Sequence, residues 1–190
     1  MKAFTKKETG ETQYTIRIEA EVKGFNAEKI VLMMRDVEYR KQTLNPPKEM
    51  KIIEHNSKNS DVAYFEIDLP FPLTNREFVQ KRLFMGNKED PENIRKLGLY
   101  DLNHEYHAVI IQSIEREEYP IKSKPIRGET KMYYLLLEED VNDKSVLKMR
   151  LVLCQDLKGD IPKMILNSMI TKMSTKFVGD ILKSYTKIFN

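Results

Sequence analysis

Few residues in this chain have a type and spacing suited to chemistry. His104 and His107 stand in His-Glu-Tyr-His, a spacing that on a helix would bring two imidazoles to one face and suit a shared metal ion. The surrounding pattern predicts a strand, where the two rings point to opposite sides, the wrong geometry for one ion. Cys154 is the only cysteine and lies among Leu151, Val152 and Leu153, so it reads as a buried thiol rather than a nucleophile. The chain has neither a glycine-rich phosphate loop nor a serine elbow. These residues propose no catalysis, no metal and no cofactor.

Composition narrows the remaining classes. A length of 190 residues fits one domain spanning 1–190, with a polar segment over 1–12. Charged residues make up 32% and hydrophobic ones 41%, and no apolar run is long enough to span a bilayer. The polar opening Met-Lys-Ala-Phe-Thr-Lys-Lys-Glu is unlike a secretory signal, and a single cysteine suits a reducing compartment. A cytoplasmic monomer is expected. The net charge of +3 arises from 32 cations scattered among 29 anions, which argues against a nucleic-acid partner.

The elements that must position any site follow from periodicity. Tyr14, Ile16, Ile18, Ala20 and Val22 alternate with polar neighbours and predict a strand. Asn26 is a plausible helix N-cap, and Ile30, Val31, Met34 and Val37 recur at helical spacing before Leu44-Asn45-Pro46-Pro47. Two strands, 49–55 and 62–69, flank a loose loop over 56–61, and the second puts Ala63, Phe65 and Ile67 on one face. Pro70-Phe71-Pro72 then makes a corner before a strand over 77–85. A polar loop around Glu89-Asp90-Pro91-Glu92 and strands near 103–115, 129–139 and 145–155 follow, with a long loop over 117–127. From Gly159 onward the chain is helical: Leu166, Ile170, Met173, Phe177, Ile181 and Ile188 form one stripe, and Lys172, Lys176, Lys183 and Lys187 another. The order implies an α+β domain with a helix laid across a curved antiparallel sheet.

Four stretches resemble the START family, the StAR-related lipid-transfer domains. They are Asp36-Val37-Glu38-Tyr39-Arg40-Lys41-Gln42, the proline corner with Asn75-Arg76-Glu77-Phe78-Val79, Pro125-Ile126-Arg127-Gly128-Glu129, and Asp156-Leu157-Lys158-Gly159-Asp160-Ile161-Pro162-Lys163. All four occur in the family's order and cover nearly the whole chain. The resemblance implies a helix-grip fold with an internal apolar cavity for one lipid, and intracellular lipid binding and transfer rather than catalysis. The helix that family members carry ahead of the first strand has no counterpart in these residues. Thr43 and Leu44 stand where phosphatidylcholine-binding members have an aromatic and an acid, which leaves the head group open.

The resemblance also nominates a site. Arg40 matches the arginine that meets the lipid phosphate in phosphatidylcholine-binding members, a role suited to a guanidinium because its planar donors pair two oxygens; otherwise it is a surface arginine paired with Asp36. Strand matching turns Phe65, Ile67, Phe78, Gln80 and Tyr133 toward the cavity, with Arg82 on the face of Phe78 and Gln80. On the last helix Leu166, Ile170, Met173 and Phe177 would cover the lipid, Met164 and Met169 would add adaptable contacts, and the lysine stripe would touch an anionic membrane. Each of these positions is also explained by core packing or solvation. Sterol-binding members carry a buried acid–arginine pair in this region, and the matching acid is absent, so a phospholipid or sphingolipid is favoured over a sterol. The remaining alternatives are a lipid-sensing regulatory module and a helix-grip enzyme with Arg40, His107 and Tyr133 as its acid–base candidates.

Overall fold

Alternating side chains build the central strands. In β2, Gln13–Lys23, the side chains of Tyr14, Ile16, Ile18 and Ala20 are buried, while Arg17 among them and Glu21 after them face solvent. The structure, a computed structural model, describes residues 1–7, 13–88, 90–99 and 104–190. Before β2 lies β1 (Lys2–Lys7). After it come α1 (Ala27–Arg35), α2 (Val37–Gln42), β3 (Glu49–Ser57), β4 (Ser60–Ile67), β5 (Arg76–Gly86), α3 (Pro91–Lys96), β6 (His104–Ser113), β7 (Ile126–Arg127), β8 (Glu129–Asp140), β9 (Val146–Asp156) and α4 (Lys163–Phe189). The strands form one sheet in the order β1-β2-β9-β8-β6-β5-β4-β3, antiparallel along that path, and β7 pairs in parallel with the start of β5.

One apolar cluster decides the shape. Ile16 of β2, Leu151 of β9, Leu135 of β8, Phe78 of β5 and Phe65 of β4 all pack into the cluster that holds Leu166, Ile170, Val178 and Tyr185 of α4. Strands near opposite ends of the order can share one helix only when the sheet twists and curls around it. This is the expected α+β helix-grip. Its outer face carries two smaller clusters, one around Met85, Tyr106, Leu136 and Ile94, the other around Val62, Tyr64 and Val79.

The local signals explain both agreements and departures. The Asn26 side chain accepts the Lys29 N–H at 2.9 Å and starts α1. The helical run expected from Ile30 to Val37 is split into α1 and α2, because Asp36 both ends α1, donating its N–H to the Leu32 carbonyl, and caps α2 by accepting from Glu38 and Tyr39 at 2.8 and 3.0 Å. The polar N-terminal segment is partly a strand: β1 pairs with β2 and puts Phe4 beneath the Arg17 guanidinium, while residues 8–12 of that segment lie outside the described residues. Lysines at 2, 6 and 7 make β1 a charged sheet edge, a pattern that resists edge-to-edge pairing. The expected loop near Asp90 contains α3, for Asp90 is an N-cap and Pro91 fits the first helical turn. The loose 56–61 loop is a tight turn at Lys58-Asn59, since register shifts near Ile52 and His55 let β3 pair as far as Ser57.

Three of the four motifs meet at one junction. Arg76, 1% exposed, donates to the carbonyls of Thr74, Leu157 and Lys158, which ties the proline corner to the end of β9. Buried Glu77 accepts from Tyr64 Oη at 3.1 Å and from Arg127 Nε and Nη2 at 3.0 and 2.7 Å. Gly128 is required here by space: a Cβ on it would lie 2.5 Å from Phe78 Cε1, and Phe78 is fully buried. Gly128→Ala is therefore expected to destabilise the fold by about 1–3 kcal/mol, as overpacked cores do, and a urea midpoint unchanged from the parent would contradict this packing account.

The corner itself responds to pH. Asn75 Nδ2 donates to Glu66 Oε1 and Asp68 Oδ1, both at 2.8 Å, and Lys48 Nζ reaches the same Glu66 oxygen at 2.8 Å. The Lys48 hydrogen bond holds the Glu66 carboxyl below its ordinary value against the opposing effect of burial. A depressed folded-state pKa gives stability that is complete above the unfolded value of about 4.3 and is lost as pH falls through the folded one. Glu66→Gln is expected to flatten the stability–pH curve below about pH 4.3; a variant whose acid limb superimposes on the parent's would remove Glu66 from the explanation.

Candidate functional site

The inner layer gathers the residues singled out from sequence. Phe65 and Phe78 stack with ring centroids 5.0 Å apart. Ile67 of β4 and Tyr133 of β8 border the same cluster as Leu166, Ile170, Met173 and Phe177 of α4. Gln80 and Arg82 follow Phe78 at two-residue steps along β5, so they share its inward face. The Gln80 amide donates to Thr130 Oγ1 at 2.6 Å. Of the methionines, Met169 and Met173 adjoin this cluster, whereas Met164 is 80% exposed.

The two arginines differ in what they meet. Arg82, 3% exposed, donates Nε and Nη2 to the two oxygens of Asp61 at 2.7 and 2.9 Å, and Nη1 and Nη2 to the carbonyls of Met34 and Arg35 at 3.1 and 3.0 Å. Its charge is paired, and it grips the C-terminal end of α1. This corrects the expectation that a buried acid is lacking beside the inner arginine: Asp61, directly opposite Arg82 across β4 and β5, supplies it.

Arg40 has no such pairing. Its Nη1 donates to Thr43 Oγ1 at 3.2 Å, and among the described residues no carboxylate forms an ion pair with it. Asp36, the alternative partner, is occupied in capping α2. Burial pulls the Arg40 guanidinium below its ordinary value, with the neighbouring Tyr133 partly opposing and Arg82 adding to the effect. Burial pushes the Tyr133 phenol upward. Yet both side chains keep part of their surface uncovered. A guanidinium, a phenol and a set of half-covered apolar side chains thus face the same interior.

Other candidates fall elsewhere. His104 and His107 do lie on opposite faces of β6: His104 adjoins Tyr106 on the outer side, and His107 shares the inner side with Val109. His107 is far from Tyr133, for Ile111 is the residue opposite Tyr133, and the four residue steps of strand from His107 to Ile111 span about 13 Å. The expected buried thiol is corrected too. Cys154 is half-buried on the outer face of β9, where Gln13 Nε2 approaches its sulfur at 3.6 Å; Leu151 and Leu153 point inward, and the strand's alternation puts Cys154 on the other side. No helix among the described residues is long and apolar enough to cross a membrane.

In the polar junction around Arg76, Glu77 and Asn75 each group is bonded to the fold. Asp61 was missed because an aspartate in a turn-rich stretch gives no sign that the next strand carries its partner. The alternation of β5 from Phe78 to Arg82 contained the clue, since an arginine on an apolar face needs an anion.

Comparison with known proteins accords with this architecture. The family model described as START domain matches residues 1–186. The mouse (Mus musculus) phosphatidylcholine transfer protein is 26% identical over 171 residues, which cover 90% of this chain and 72% of that protein. Among solved structures, human STARD10 superposes with a TM-score of 0.76 at 21% identity over 95% of this chain, which spans 66% of the STARD10 chain. Human StAR-related lipid transfer protein 5 superposes with a TM-score of 0.70 at 16% identity, covering 93% of this chain and 77% of that one. A match of this extent, over a helix-grip whose four motifs sit where the fold needs them, is decisive for the family: the chain belongs to the START domain family.

Proposed function

We propose that the chain binds one phosphate-bearing lipid, a glycerophospholipid or sphingolipid, between the inner face of the sheet and α4, and carries it between membranes. The observation that carries this reading is Arg40. A half-buried cation drawn partly out of water without an anion is costly to keep charged; a lipid phosphate would complete the pair left open among the described residues, with the Tyr133 phenol as a second donor. Phe65, Ile67, Tyr133, Met173 and Phe177 adjoin the inner cluster yet are only half covered, as Arg40 is, which suits side chains bordering a gap that acyl chains can fill. The name of the mouse relative, a phosphatidylcholine transfer protein, supports the same lipid class. Binding rather than catalysis fits the distance between His107 and the Arg40–Tyr133 pair, which leaves the site without an acid–base couple.

A sterol is the second reading, favoured by the buried Asp61–Arg82 pair that sterol-binding members resemble. That pair is closed on itself and on the carbonyls of α1, so it offers a hydroxyl little that is not already used.

Exchange requires contact with a membrane. The Arg76 junction ties the proline corner to the connection between β9 and α4, and Glu77 ties it to Arg127 at the end of the 117–127 loop. These segments and the start of α4 present Phe71, Ile121 and Met164, 96%, 70% and 80% exposed, and the exposed Lys122, Lys124 and Lys163. Exposed apolar side chains with lysines next to them in sequence suit an anionic bilayer surface; Lys172 and Lys176 are exposed further along α4. The test is transfer of a fluorescent phosphatidylcholine between vesicles. Transfer is expected, and faster with anionic than with neutral acceptors; equal rates would remove the basic surface from the account, and no transfer with either would overturn the reading.

A further inference from the structure

Away from the Arg40 region, the inner row of β6 ends in a cluster that lipid binding does not use. Glu105 and His107 alternate along β6 and both face inward, and Glu28, in the first turn of α1, comes over them. One ligand atom from each of Glu28, Glu105 and His107 lies within 4.8 Å of the other two. His107 Nε2 stands 3.4 Å from Glu105 Oε1. The His107 side chain is 7% exposed, and its Nε2 is a buried atom with no hydrogen-bond partner, an arrangement that normally asks for a ligand. The cluster already attracts cations: Lys88 Nζ reaches Glu105 at 3.0 Å and Glu28 at 3.7 Å, and Lys144 Nζ reaches the other Glu105 oxygen at 3.0 Å.

We propose that Glu28, Glu105 and His107 form a binding site for a first-row divalent transition-metal ion, which displaces the Lys88 ammonium from between the two carboxylates. The donor set chooses the ion class. An imidazole nitrogen with two carboxylate oxygens suits Zn²⁺ and its neighbours, whereas Ca²⁺ and Mg²⁺ take oxygen ligands alone. The ion would clasp the first turn of α1 onto β6. Ala27 N–H already donates to Glu139 at 2.7 Å beside it, and Arg82 holds the far end of the same helix. The metal would thus fix the helix that leads into α2 and Arg40, and the inference stands independently of which lipid is bound.

The test is calorimetric titration of the full chain with Zn²⁺ in a Cys154→Ser background, which removes the lone thiol as a competing ligand. One site is expected. Exposed Glu28→Gln, which leaves the core untouched, is expected to weaken it about ten-fold or more, the scale on which even supporting groups of metal sites act. His107→Gln should abolish it, and Lys88→Met should tighten it by removing the competing ammonium. With Co²⁺ as the probe, the visible d–d bands should change in Glu28→Gln. Zn²⁺ binding that survives both Glu28→Gln and His107→Gln, displacement of Zn²⁺ by equal Ca²⁺, or no binding at all would each overturn the proposal.

Discussion

Asp61→Ala is expected to lower the stability of this domain by about 3–5 kcal/mol, the range seen when one partner of a buried ion pair is removed. Asp61 and Arg82 are 5% and 3% exposed and meet through two hydrogen bonds across β4 and β5. Truncation of the acid strands a guanidinium that water cannot reach. A domain of ordinary stability has about 5–15 kcal/mol in total, so the variant should lose a large share of it. Replacing both residues, Asp61→Ala with Arg82→Met, should recover part of that loss, because the stranded charge goes with the arginine. Urea denaturation of the three proteins decides it: a loss below about 1 kcal/mol for Asp61→Ala, the scale of an exposed pair, would mean that the pair is solvated.

Arg40 should behave in the opposite way. With no carboxylate partner among the described residues, Arg40 is a half-buried unpaired charge, and Arg40→Met removes it while keeping much of the side-chain volume. The unliganded domain is expected to hold or gain stability. Phosphatidylcholine binding, in contrast, should weaken by about 30-fold or more, the equivalent of about 2 kcal/mol for losing one side of a buried charged contact. Arg40→Ala should lose affinity similarly. Stability and affinity moving in opposite directions is the signature of a residue kept for its ligand, since a purely structural arginine would lower both. Equal lipid affinity in Arg40→Met and the parent would sink the phosphate assignment.

Much of this architecture was legible in the chain because its determinants are local. Strict alternation from Tyr14 to Val22 fixed which side of β2 faces α4, and the stripe from Leu166 to Phe177 fixed the face of α4 that answers it. The elements that escaped are those where a short signal competes with composition. Lysines at 2, 6 and 7 disguise β1 as a polar tail, although at a sheet edge they are an advantage. Asp90-Pro91-Glu92 looks like a loop until its capping role is weighed. The site was legible only in part. Periodicity told that Arg82 faces inward, but not that Asp61 waits opposite, because pairing between strands is a property of register. The motifs proved informative in an unexpected way: three of the four hold the Arg76 junction together, and the fourth places Arg40 at the end of a helical turn whose cap, Asp36, was the alternative partner for it.

The measurement that bears most directly on the central claim is native mass spectrometry of the parent and of Arg40→Met after incubation with a cell lipid extract, with identification of what each retains. The account predicts one phosphate-bearing lipid per chain in the parent and its loss from the variant, with both proteins folded. A sterol retained by both, or a phospholipid held equally by both, would contradict it.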